Sequence, residues 1–370
     1  KIRNMYIMKR IIENIQQKKY MELIKYNKIL QRKINISIKD YKEYNQIEIE
    51  IRPKSSFNNF NKFININDED KPYIHIFYNN NKKKGKDNSF LKEGKKPKKL
   101  RVIIDYEIKS FKGLFKNYEY IKEIKFIKFN RKDIIDMSDM FYGCKNLIKL
   151  DFSNFNTDKV TDMSFMFYDC SSLKELNLNK FNTTNVVKME STFHGCSSLK
   201  KLNISSFQTN KVINMCAMFQ ECKLLKELNL SNFKTGEVKN MSNMFYECKE
   251  IKSLNISSFD TSKVVNMSYM FNGCSKLIDL DISNFEINKE NKYNYMFSSC
   301  QKKLKEKIKL QNKNLKNDAF KDNKKRDLFS ESCFELDFDF YENLNDVQPI
   351  NPLEIFFLPH EENYDDNGNN

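Results

Sequence analysis

The sequence has no tryptophan, three histidines, six prolines and eight glycines in 370 residues, so little of the usual catalytic and turn-forming equipment is present. No apolar run approaches the roughly eighteen residues that a transmembrane helix needs, so no membrane-spanning segment is expected. No small-residue cleavage pattern marks a secretory leader near the front, but the chain opens on Lys1, so this decides nothing about compartment. Gly-rich phosphate loops, nucleophile elbows and paired acids are all missing, and with them any candidate catalytic residue or cofactor site. The cysteines lack the short C-x2-C pairing that brings zinc ligands together, so no metal is expected.

Charge is also lacking where it would be informative. The formal charge is +15, yet no Lys or Arg follows Arg326, and lysines crowd the first hundred residues. Nucleic-acid binding calls for a basic stripe with interleaved aromatics on the folded surface, and the sequence offers no such stripe, so no nucleic-acid partner is expected.

What is present is a repeat. The phrase MSDMFYGC at residues 137–144 returns as MSFMFYDC, MESTFHGC, MCAMFQEC, MSNMFYEC, MSYMFNGC and YNYMFSSC. Its cysteines, Cys144, Cys170, Cys196, Cys222, Cys248, Cys274 and Cys300, stand 26 residues apart, a period that signals stacked structural repeats. One half of each repeat is strand-like, as in LKELNLNKF from Leu173 or LKKLNISSF from Leu199. The other half follows a TxxV turn such as Thr157–Val160. There Met137, Met140, Phe141 and Cys144 fall at i, i+3, i+4 and i+7, the spacing of one face of a short helix. Asp136, Asp162, Asn214, Asn240 and Asn266 precede that segment, where an oxygen can cap free N–H groups. Stacking turns single positions into columns, with Leu150, Leu176, Leu202, Leu228, Leu254 and Leu280 in one internal column. Phe155, Phe181, Phe207, Phe233, Phe259 and Phe285 form another.

The flanks read differently. Residues 5–31 carry a helical apolar spacing, while Ile47, Ile49 and Ile51 alternate as in a strand. Ile64 and Ile66, residues 73–78 and residues 100–108 are also strand-like. Lysine clusters at 82–86 and 95–99 fit either a solvated loop or a bipartite import signal. Leu304, Ile308 and Leu310 suggest a last strand, and Ala319-Phe320 a remnant helix. The acidic, aromatic tail from Phe329 fits a disordered segment, a strand laid back on the repeats, or a docking motif that folds on binding. The segments are thus 1–45 helical, 46–110 β-rich capping, 111–310 repeats, and 311–370 basic cap with acidic tail.

The pattern L-x-x-L-x-[LIF]-x-x-F followed by [TI]-x-x-V-x-x-M-x-x-M-F-x-x-C resembles the BspA-like leucine-rich repeat of bacterial and protist surface proteins, over about residues 111–310. The resemblance implies an α/β leucine-rich-repeat solenoid, with stacked parallel strands on one face and short helices on the other. It also implies a protein partner, a role in adhesion at the cell surface or after secretion, and no catalytic residues to carry over. An intracellular scaffold, with the lysine loop and acidic tail as the binding elements, is the alternative. One departure is that Phe stands after the strand, where leucine-rich repeats usually place Asn or Cys, so stacked rings and neighbouring polar residues must hold the turn.

On the strand face, residues flanked by buried leucines point outward. The candidate interaction surface is therefore the column Asp151, Asn177, Asn203, Asn229, Asn255, Asp281 with the adjacent Lys149, Glu175, Lys201 and Glu227. Asn203, Asn229 and Asn255 are also N-glycosylation sequons, as are Asn182, Asn240 and Asn266. The ladder cysteines read as buried hydrophobes, Cys216 and Cys333 as exposed thiols, and His194 as a tolerant surface position.

Overall fold

A computed structural model describes residues 38–54, 64–78 and 97–322, all within one compact unit, Lys1–Arg326. The helix expected over residues 5–31, the loop at 79–96 and the tail with Cys333 lie outside the described residues. Within them the structure is mixed α/β, with more strands than helices and no closed barrel.

A short helix α1 (Ile38–Tyr44) leads into β1 (Ile47–Pro53), whose alternating isoleucines are fully buried. Strands β2 (Ile74–Tyr78), β3 (Leu100–Ile104), β4 (Ile121–Lys128) and β5 (Lys149–Asp151) join it in the order β2-β3-β1-β4-β5. Pairing is antiparallel up to β4, then parallel from β4 to β5, with Ile124 opposite Leu150. The sheet thus changes from hairpin-like pairing to repeat-on-repeat stacking at β4. Ile64 and Ile66 are buried without forming a strand.

From β4 onward every pairing advances by one repeat. Strand β6 (Glu175–Asn177) lies parallel to β7 (Lys201–Asn203), with Leu176 opposite Leu202. Likewise β8 (Ser253–Leu254) pairs with β9 (Asp279–Leu280), Leu254 opposite Leu280. These strands are two or three residues long and form separate sheets, shorter than the sequence suggests. The longest ladder runs elsewhere, through parallel bridges from Ser110 to Asp136, Asp162, Lys188, Asn214, Asn240, Asn266 and Lys292.

The short helices expected over the M-x-x-M-F-x-x-C segments are absent, and the backbone shows why. Two residues in each segment take positive φ, four positions apart. One series, Gly113 to Tyr295 through Asp139, Phe165, Ser191, Ala217, Asn243 and Tyr269, has φ of 51–60°. The other runs from Asn117 through Gly143, Asp169, Gly195, Glu221, Glu247 and Gly273 to Ser299. Left-handed residues cannot continue an α-helix, so the segment becomes a chain of overlapping turns. Within it Met140, Tyr142 and Cys144 donate N–H groups to the carbonyls of Met137, Asp139 and Phe141, at 3.3, 2.9 and 3.1 Å. The intervening N–H groups point to the next repeat: Met137 to Asp162 (3.0 Å), Asp139 to Ser164 (2.9 Å), Phe141 to Met166 (2.9 Å) and Gly143 to Tyr168 (2.7 Å). Ser138 N–H is met by Asp136 Oδ1 at 2.8 Å, so the expected capping oxygen serves a turn rather than a helix. Every N–H from 137 to 144 is therefore paired, which offsets the conformational cost of the left-handed residues.

Because Asp136 accepts from Phe111 while Met137 donates to Asp162, that peptide turns its carbonyl toward the first repeat and its N–H toward the last. The same holds for the peptides at 138–139, 140–141 and 142–143, so their dipoles align along the stack as in a helix. Both ends are capped accordingly. At the first, Asn65 donates its backbone N–H to Leu114 O (2.8 Å) and its amide to Lys116 O (3.3 Å). At the last, Ser299 N–H is met at 2.8 Å by the Asp322 carboxylate. Lys305, 2.8 Å away, holds that carboxyl below its ordinary pKa, helped by the Ser299 N–H.

Inside, Phe115, Phe141, Phe167, Phe193, Phe219, Phe245, Phe271, Phe297 and Phe320 form one stacked column, with centroids 5.5–5.6 Å apart. Each fully buried ring is worth about 1.5–3 kcal/mol. In the strand-end Phe column Phe155 stacks on Phe181 at 5.3 Å, and Phe207, Phe233, Phe259 and Phe285 are buried. Leu176, Leu228, Leu254 and Leu280 are buried, while Leu150 and Leu202 are partly buried against the core. The last strand expected at 304–310 is instead a helix, α2 (Lys302–Gln311). Leu304 and Ile308, one turn apart, face inward, and Leu310 points to solvent. A 3-10 turn at Asn317–Ala319 then delivers Phe320 to the ring column.

Candidate interaction face

Strand register sets four of the ten candidate residues opposite one another in two pairs. Glu175 lies opposite Lys201 and Asn177 opposite Asn203, as their spacing requires. Asn177, Asn203, Asn229, Asn255 and Asp281 are exposed and Asp151 is half-buried, while Lys149, Glu175, Lys201 and Glu227 are exposed. Glu175 and Lys201 form a solvent-exposed ion pair at 3.1 Å, which contributes little to stability.

The central column has a structural task that the sequence reading missed. Asn177 Oδ1 accepts the N–H of Asn179 at 3.1 Å, and Asn203, Asn229 and Asn255 accept from Ser205, Ser231 and Ser257 at 3.2, 3.0 and 3.2 Å. Asp281 accepts from Ser283 at 2.8 Å and Asp151 from Ser153 at 3.0 Å. Each is an Asx turn, five of them at or just after the end of a strand and the Asn229 turn in a repeat without one, and an N-x-S spacing is its signal. The Ser153 hydroxyl, followed by its N–H, holds the Asp151 carboxyl below its ordinary pKa, and for Asp281 the Ser283 N–H does so first. The sequons divide by burial. Asn182, Asn203, Asn229 and Asn255 are exposed, whereas Asn240 and Asn266 are buried, with Oδ1 accepting from Ser242 and Ser268.

A second column was also unforeseen. Buried Thr157, Thr183, Thr209 and Thr235 each donate a hydroxyl to a carbonyl of the next repeat (Asn182, Gln208, Lys234 and Asp260) at 2.8 Å. Each also accepts the N–H of that same residue at 2.7–2.8 Å. This threonine relay, with the stacked rings, supplies the turn support that leucine-rich repeats usually draw from Asn or Cys.

The ladder cysteines are buried, and each Sγ donates to the carbonyl of a phenylalanine in the preceding repeat, as from Cys144 to Phe115 at 3.0 Å and Cys248 to Phe219 at 3.1 Å. Burial pushes the Cys144, Cys196 and Cys300 thiols up to about 12 and raises the other four as well. At about pH 8, near the ordinary thiol pKa of ~8.5, an alkylating reagent is expected to leave all seven ladder thiols unmodified in the native protein and to label all seven in denaturant, as read by peptide mass mapping that separates them from Cys216 and Cys333. Cys216, expected to be exposed, is instead buried, 3.1 Å from Ser242 Oγ. It occupies the position of Ser138 and Ser164, which faces the interior of the turn chain.

His194 is not a tolerant surface position either. It is half-buried and stacks on Tyr168 at 4.4 Å, which itself stacks on Tyr142 at 4.4 Å. Burial pushes its pKa down to about 4, so it is a neutral ring in an aromatic column. His75 pairs with Asp105 at 2.7 Å in the first sheet, and His360 lies outside the described residues. Among the described residues no helix is long and apolar enough to cross a membrane. A family model described as "Mycoplasma protein of unknown function, DUF285" matches the chain twice, over residues 109–228 and 187–310. No curated protein matches the chain.

Proposed function

We propose that this chain, which belongs to the DUF285 family, is a non-enzymatic binding module built as a leucine-rich-repeat-like solenoid, with adhesion or protein capture at a surface as its role. The observation that supports this reading is the register. The 26-residue period becomes a parallel offset of one repeat, so single sequence positions become exposed lines of like residues. Ring column, threonine relay, Asx turns and peptide ladder hold the scaffold, and the exposed Lys149, Glu175, Lys201 and Glu227, outside those turns, are left to meet a partner.

Cross-linking of the full chain to candidate surface proteins, compared with a Lys201→Glu/Glu227→Arg variant and with a chain ending at 328, tests the proposal. Both substituted side chains are exposed and stand outside the Asx turns. Capture is expected to fail in the double variant and persist in the shortened chain. Capture that survives the double variant and is lost on truncation would instead support an intracellular scaffold working through its tail.

A further inference from the structure

One column of the repeats departs from the charge pairing seen around it. Lys174, Lys200, Lys226 and Lys252 occupy the position just before the strand in four consecutive repeats, and all four are exposed. Lys122 holds the same position two repeats before Lys174, with Ile148 between them. Backbone hydrogen bonds join this position at three of the repeat junctions, from Ile148 N to Lys122 O at 2.9 Å, from Lys200 N to Lys174 O at 2.8 Å and from Ile278 N to Lys252 O at 3.0 Å. Parallel bridges join each of these repeats to the next, from Asp162 through Lys188, Asn214 and Asn240 to Asn266, and bridged backbones stand about 4.7–4.9 Å apart, so the four lysines form a line of positive charge along the stack.

Lysines of the neighbouring columns are paired with carboxylates in several repeats, and those of this column in none. Lys201 meets Glu175 at 3.1 Å, Lys223 meets Glu221 at 2.7 Å, Lys249 meets Glu247 at 2.8 Å and Lys276 meets Glu250 at 2.7 Å. Among the described residues no carboxylate pairs with Lys174, Lys200, Lys226 or Lys252. The nearest acids by column are Glu175, already held by Lys201, Glu250, held by Lys276, and the exposed Glu227. Glu250 lies close enough to Lys226 and Lys252 for both charges to lower its pKa, after the dominant hydrogen bond from Lys276. Four like charges in a row repel one another, and an aligned anionic chain relieves that repulsion.

This finding revises the expectation that the repeats carry no basic stripe. The aromatics that nucleic-acid bases stack upon are nevertheless missing, since residues 171–177, 197–203, 223–229 and 249–255 contain no Phe, Tyr or Trp. Instead the half-buried hydroxyls of Ser172 and Ser198 flank the line, where sugar hydroxyls can meet them. An extended hexopyranose residue is about as long as the spacing between strands, so a carboxylated or sulfated polysaccharide can present its anions in step with the lysines.

We propose that the column Lys174, Lys200, Lys226 and Lys252 is a binding line for an acidic polysaccharide running along the stack. This rests on the reading of the chain as a repeat scaffold and names a second ligand class, on a column outside the ten strand-face candidates. The test is binding of the full chain to heparin, with a K174S/K200S/K226S/K252S variant and a control, K159S/K211S/K234S/K289S, that removes the same charge from exposed lysines elsewhere. The column variant is expected to lose about tenfold or more in affinity, with the control within about twofold, and wild-type binding is expected to weaken with salt. Equal losses in both variants would reduce the effect to bulk charge and overturn the proposal. Tighter binding of an oligothymidylate of matched charge than of heparin would overturn it in favour of nucleic acid. Protein capture by the column variant separates this outcome from failure of the strand-face reading, which leaves these four lysines uninvolved.

Discussion

Replacing Phe219 with alanine is expected to destabilise the protein by about 3–5 kcal/mol, toward the upper end of that range. Phe219 is fully buried at the middle of the ring column, 5.6 Å from Phe193 on one side and 5.6 Å from Phe245 on the other. Truncation removes two ring contacts together with the transfer free energy of the side chain. The cavity cannot readily close, because the backbone there is held from both sides. Phe219 N donates to Met244 O at 2.9 Å, and Phe219 O accepts from Cys222 N and from Cys248 Sγ, both at 3.1 Å. Urea unfolding should show a lower midpoint at unchanged slope. Phe219→Leu, which fills much of the space, is expected to recover more than half of the loss. A loss under about 1 kcal/mol for Phe219→Ala would mean that the column is not a continuous packed element.

Thr209→Val is expected to destabilise by about 2–6 kcal/mol although it keeps the shape of the side chain. The Thr209 hydroxyl, buried at 0% exposure, donates to Lys234 O at 2.8 Å and accepts from Lys234 N at 2.8 Å. Valine leaves that N–H and that carbonyl without their partner, at a cost of about 1–3 kcal/mol for each group that stays dry. Thr209→Ser retains the hydroxyl and is expected to lose about 1 kcal/mol, the contribution of a buried methyl group. Thr184→Val, at the exposed next position of the preceding turn, is expected to change stability by under about 0.5 kcal/mol. Comparable effects at positions 184 and 209 would show that the relay is not a structural element.

The period, the strand positions and the inward columns of Leu and Phe were legible because a 26-residue offset converts directly into parallel register, as in Leu176 opposite Leu202. The turn chain was not legible. Met137, Met140, Phe141 and Cys144 have helical spacing, and spacing cannot report φ. Phe165, Ala217 and Tyr269 hold left-handed positions without the glycine that would announce them. Only Gly143, Gly195 and Gly273 hint at the second left-handed position, whose other occupants include Asp169 and Glu247. The same ambiguity made Leu304 and Ile308 look like strand residues, since an i, i+4 pair followed by Leu310 fits both periods. For the candidate face, exposure was readable from the alternation, but the Asx turns were not, because an outward Asn looks alike whether it ends a strand or waits for a ligand. The lysine column was hidden by counting charges along the chain, where Lys174 sits beside Glu175 and Lys226 beside Glu227. Stacking places Lys174, Lys200, Lys226 and Lys252 in one line and their pairs in another.

The most direct test of the repeat-on-repeat stack is to delete one whole repeat. Removing residues 200–225 joins Leu199 to Lys226, as Leu225 is joined in the intact chain, and should bring every column back into register. Removing half as many, residues 200–212, should leave the ring column, the threonine relay and the peptide ladder out of register at the junction. The measurement is urea unfolding of the two shortened chains beside the parent. Cooperative unfolding of the whole-repeat deletion at a midpoint close to the parent's, with the half-repeat deletion far less stable, is the expected result. Equal destabilisation by the two deletions would contradict the parallel stack itself.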